Sequence, residues 1–127
     1  MSIKVKWIVL LLWLGVSLSA CSRAGSDDPM LQAHLEQTPN TLGQHAIIIT
    51  IQDNGAPLTT PAVQLETTMS HAGMASQMIP MESLGDGRYT ANLNIDMLGE
   101  WVFIVHVPDP TGATSARQKT LPAFNIQ

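Results

Sequence analysis

The chain has 127 residues, 45% of them hydrophobic and 13% charged, with a formal charge of −4. That acidic balance argues against a nucleic-acid partner, which needs a basic footprint. A single cysteine excludes an internal disulfide, and the length suits one domain with one core.

Residues 1–20 read as a targeting segment. Lys4 and Lys6 make a basic start, and Trp7 to Val16 is an almost unbroken apolar run. The run falls short of the roughly 20 residues of a membrane span and has the length of a signal-peptide core. Leu18-Ser19-Ala20-Cys21 follows. This segment resembles the bacterial lipobox. The resemblance implies cleavage before Cys21, with fatty acids of the palmitate type on its sulfur and a further acyl group on the new amine. The expected product is an exported, membrane-anchored lipoprotein facing the periplasm or the cell exterior, with membrane lipid as its first partner. Ser22, where a retention signal would have Asp, points to the outer membrane in a cell that has two. Two or three acyl chains hold a protein on a bilayer where one binds marginally. Removal of the segment leaves four basic against ten acidic residues. Residues 22–30 are polar, with Gly and Pro, and read as a linker. Nine extended residues reach at most about 30 Å.

From Leu31 onward the hydrophobic period is two. Leu31, Ala33 and Leu35 alternate with polar neighbours, as in a half-buried strand. His45 to Gln52 is β-branched and apolar, which predicts a central strand. Asn54-Gly55 is a turn signal. Pro61 to Thr68 predicts a strand with Val63, Leu65 and Thr67 on one face. Met69 to Met81 reads as a loop, and Leu84 to Gly87 as a tight turn. Tyr89, Ala91, Leu93 and Ile95 alternate most cleanly, Trp101 to Val107 is nearly all apolar, and Ala116 to Ile126 predicts a last strand pushed to a sheet edge by Pro122. Six or seven short strands separated by turn residues predict an all-β fold, a small antiparallel Ig-like β-sandwich over residues 31–127. Its inward side chains include Leu35, Ile47, Leu65, Tyr89, Trp101 and Phe103. They suffice for folding without a metal, at roughly 1.5–3 kcal/mol for each buried side chain.

The loop carries the chemistry. Met69-Ser70-His71-Ala72-Gly73-Met74-Ala75-Ser76-Gln77-Met78-Ile79-Pro80-Met81 holds four of the seven methionines and one of the four histidines. Thioethers and imidazole suit Cu(I). Met69 and His71 share a face of an extended chain. Met74 and Met78 lie one helical turn apart, and Met81 closes the loop. Met97 is a further candidate donor. The competing reading makes the same methionines flexible core fillers, with Met69 and Met81 plugging the open end of the sandwich. Tyr89 and Trp101 read as core anchors.

Pro61-Ala62-Val63, Met69 to Met74, Gly87-Arg88-Tyr89 and Met97-Leu98-Gly99-Glu100-Trp101 occur in that order. Together they resemble the YtkA-like domain family, related in pattern to FixH proteins and to accessory domains of copper-efflux adaptors. The resemblance covers about residues 31–127. It implies an Ig-type sandwich on the outer face of a membrane, with Tyr89, Gly99 and Trp101 as structural positions. It also implies a role in holding or delivering Cu(I) at Met69, His71, Met74, Met78 and Met81, beside a copper-handling or oxidase-assembly membrane protein. Ser70 stands where the family often has proline, and the loop has one histidine where many members have several. The alternative is an interaction module that contacts a membrane protein without metal. No nucleophile elbow and no phosphate-binding glycine loop occurs, so no catalysis is expected.

Overall fold

Strict alternation of buried and exposed side chains builds two sheets that face each other. The computed structural model describes residues 26–71, 74–109 and 116–127, so the targeting segment and Cys21 lie outside the described residues. Ten strands follow in chain order. They are β1 Leu31–Leu35, β2 Gly43–Asp53, β3 Ala56–Pro57, β4 Gln64–Met69, β5 Gln77–Pro80, β6 Glu82–Gly85, β7 Arg88–Ile95, β8 Gly99–Val107, β9 Arg117–Thr120 and β10 Phe124–Ile126. Sheet one runs β1-β2-β7-β6, with β3 also on β2. Sheet two runs β10-β8-β4-β5, with β9 also on β8. Every pairing is antiparallel. The fold is the expected small β-sandwich, and no helix occurs among the described residues.

The core lies between the sheets. Ile47, Ile49 and Ile51 of β2 and Tyr89, Leu93 and Ile95 of β7 meet Leu65, Trp101, Phe103 and Val105 of sheet two, all buried. Phe103 and Phe124 pack edge to face, with ring centroids 4.9 Å apart. A turn glycine makes the frame possible. Gly87 has φ +78°, and a Cβ there would stand 2.6 Å from the Ile51 carbonyl oxygen. Only glycine lets β2 approach so closely at that angle. Two residues on, the Tyr89 hydroxyl donates to the Thr60 carbonyl at 2.5 Å, with the Leu58 carbonyl at 3.2 Å. This pins the crossing from sheet one to sheet two.

Three expectations need correction. The stretch Met69–Met81 is not one loop, because Gln77–Pro80 pairs with Gln64–Thr67 as β5. Met74 and Met78 therefore do not share a helical turn. The last strand is two strands, β9 and β10, on either side of Pro122. Residues 27–30 also belong to the domain and not to a linker. Asp28 N–H donates to the Gln118 carbonyl at 2.9 Å, and Asp27 accepts from the Thr120 amide and hydroxyl at 3.0 and 2.8 Å.

Candidate functional site at the methionine end of the sandwich

The inner face of β4 carries Val63, Leu65, Thr67 and Met69, all buried, and its outer face carries Glu66 and Thr68. Met69 therefore points into the core and is 5% exposed. Met78 stands opposite Glu66 in the register, on the outer face, and is 49% exposed. Sheet two separates the two sulfurs. Met81 points inward, opposite Val63, whose carbonyl accepts its N–H at 2.9 Å. Six residues of extended β4 place it about 20 Å along the strand from Met69. The five proposed donors thus do not meet at one point. Met81 fills the core at the far end, and Met78 lies beside the hydrogen-bonded pair of His106 and Glu66, whose Nε2–Oε2 distance is 2.7 Å.

A different group gathers at the near end. Met69 belongs to the core, and half-buried Met74 and Met97 pack against it. The Met69 methyl lies 2.8 Å from where a Cβ on Gly99 would be, and Gly99 has φ +125°. The missing side chain of Gly99 is the space that Met69 occupies. The Trp101 indole N–H donates to the Met97 carbonyl at 3.1 Å, closing the turn between β7 and β8. Met74 and Trp101 line one cleft of about 210 Å³. Ser70 N–H donates to the Glu100 carbonyl at 3.1 Å, and exposed His71 follows it. The methionine stretch and the Met97-x-Gly99-x-Trp101 stretch are two halves of one corner.

A family profile described as YtkA-like matches residues 26–106. The chain belongs to the YtkA-like family. The matched span starts at Ser26, in keeping with residues 27–30 packing onto the YtkA-like sandwich. It includes the methionine corner and ends within β8. No curated protein and no solved structure matches the chain.

The chemistry available at this corner is soft. Thioethers of Met69, Met74 and Met97 and the imidazole of His71 are soft donors, the ligand type that suits Cu(I). No group of three or more His, Cys, Asp or Glu side chains suited to a metal occurs among the described residues. Sequence reading had singled out Met69, His71, Met74 and Met97. It missed Thr67, a buried threonine whose hydroxyl has no partner and which lines the same cleft. Its place in an alternating strand of apolar inward residues is the signal that marks it.

Proposed function

We propose that the domain is held on the membrane by acylated Cys21 and binds Cu(I) for storage or transfer at the methionine corner. Met69, Met74 and Met97 with His71 are the donors. Cys21 rests on the lipobox resemblance. The metal reading is supported by one observation, that three methionines adjoin the Gly99–Trp101 turn: Met69 by its methyl at Gly99, Met74 beside Trp101 in the cleft, and Met97 through its carbonyl. Met78 and Met81 drop out of the donor set because one lies outside sheet two and the other at the opposite end of the core. Met69 is nearly buried, so an ion reaches it only if its surroundings open. Thioethers also suit an oxidising compartment, where thiols pair as disulfides.

Trp101 supplies the readout. With Trp7→Phe and Trp13→Phe it is the only indole in the chain. Titration with Cu(I) under reducing conditions against a competing chelator should quench its emission at one equivalent. Met74→Leu with Met97→Leu should weaken binding by at least about tenfold, since soft donors are lost while volume is kept. Met78→Leu and Met81→Leu should leave the affinity unchanged. Equal affinity in the Met74/Met97 variant and the parent would remove copper from this corner.

A further inference from the structure

Strand β6 is short, and the room it leaves is structured. It covers β7 only over Arg88–Thr90. On that side no described strand pairs with Ala91–Ile95. The direction of the bare groups follows from β2. Ile51 N–H donates to the Gly87 carbonyl at 2.7 Å, and antiparallel alternation then turns the main-chain groups of Tyr89, Ala91, Leu93 and Ile95 toward β2. The N–H and C=O of Asn92 and Asn94 point the other way, to an open edge. Such an edge is a template for another strand.

The methionine cleft lies directly behind this edge. Thr67 and Ile79 form its floor, Leu93 and Asp96 one wall, and Met74 and Trp101 its end. It is the space that a longer β6 would fill. Thr67 is 2% exposed and its hydroxyl lacks a partner, although buried polar groups are nearly always paired. Exposed Asp96 and Glu82 flank the edge, and neither forms an ion pair among the described residues.

We infer that this edge takes up an extended peptide segment of a partner protein, as one more antiparallel strand of sheet one. Four or five residues, about 17 Å long, cover the bare part of β7. Main-chain bonds to Asn92 and Asn94 supply affinity, and alternate side chains entering the cleft supply selectivity. The entering side chain opposite Leu93 carries a hydroxyl or amide that pairs with Thr67, and its apolar neighbours rest on Ile79 and Leu93. Outward side chains are basic, facing Glu82. This inference stands apart from the copper reading and needs no metal.

The test uses the full chain in detergent and the peptide acetyl-Lys-Val-Lys-Thr-Lys-Val-Lys-amide at millimolar concentration. Hydrogen exchange of the Asn92 and Asn94 amides should slow by about tenfold, as for amides that gain a strand partner. Asn92→Pro removes an outward N–H that β2 does not use, and should abolish that protection at Asn94. Thr67→Val keeps the shape of the floor and serves if the proline variant fails to fold. Wild type should prefer the threonine peptide over its all-valine counterpart by about fivefold, and Thr67→Val should reverse the preference. Unchanged exchange at both amides overturns the inference. So does a threonine preference that survives Thr67→Val, or a peptide with Glu in place of Lys that binds equally well.

Discussion

At the scale of single residues, the methionine end trades stability for a particular shape. Thr67 is the clearest case. A hydroxyl buried without a partner costs about 1–3 kcal/mol relative to an apolar group of the same shape. Thr67→Val should therefore stabilise the domain by about 1 kcal/mol, read as a rise in the denaturant midpoint at unchanged slope. A fall in the midpoint would mean that the hydroxyl is already satisfied. Gly99 is the opposite case. Its φ of +125° strains any side chain, and the Met69 methyl stands only 2.8 Å from where a Cβ would be. Gly99→Ala should cost about 1–3 kcal/mol. Truncating Met69 as well should not restore that loss, because the backbone angle stays unfavourable with the space cleared. A double-mutant cycle in urea separates the two causes.

At the scale of elements, what holds the ends of strands is less regular than what forms them. Arg117 at the start of β9 donates through Nη2 and Nη1 to Asp53 at 2.7 and 2.8 Å and through Nε to Asp28 at 2.5 Å. It joins β9, the end of β2 and the entry to β1. Its guanidinium holds both carboxyls below the usual carboxylate range. Because the folded pKa values are depressed, the stabilisation is present above the unfolded carboxylate pKa and is lost as pH falls through the folded values. Arg117→Gln should be less stable at neutral pH. Its stability should also fall less steeply than wild type between about pH 5 and pH 2, measured by urea unfolding across that range. This clasp was not legible in the sequence. Asp27 and Asp28 sit in a polar stretch with Pro and Gly, and nothing periodic marks them as part of the domain. By contrast β7 and β8 were legible, since Tyr89 to Ile95 and Trp101 to Val107 alternate against a solid core. The missed elements, β5 and β6, are four residues each and of mixed polarity, with Pro80 and Gly85 at their ends. Cross-strand pairing with β4 and β7 makes them strands, and a single sequence does not display its pairing partners. The same gap explains the scattered donor set. Counting methionines located the corner, but only the pairing of β5 shows that Met78 and Met69 fall on opposite faces.

At the scale of the whole molecule, the core that folds the domain, the proposed tether and the proposed metal donors lie in different parts of the chain. The core runs from Leu31 to Ile126 and depends on apolar burial between two five-stranded sheets. The tether, if acylated at Cys21, joins a domain that already begins at Asp27, which leaves at most about 20 Å of extended chain between lipid and sandwich. The proposed metal donors Met69, Met74 and Met97 already pack in or against the apolar core. A protein built in this way folds first and binds afterwards. The copper-free chain should therefore unfold in one cooperative transition. Cu(I) should raise its stability only by the linkage amount, about 2.7 kcal/mol at a free concentration one hundred times Kd. Calorimetry of the copper-free and copper-loaded forms measures both quantities. Cys21→Ala should move the protein from the membrane to the soluble fraction while leaving the unfolding midpoint and the copper increment unchanged. A copper-free form without a cooperative transition would make the metal a structural element, and the division between core and cargo would fail.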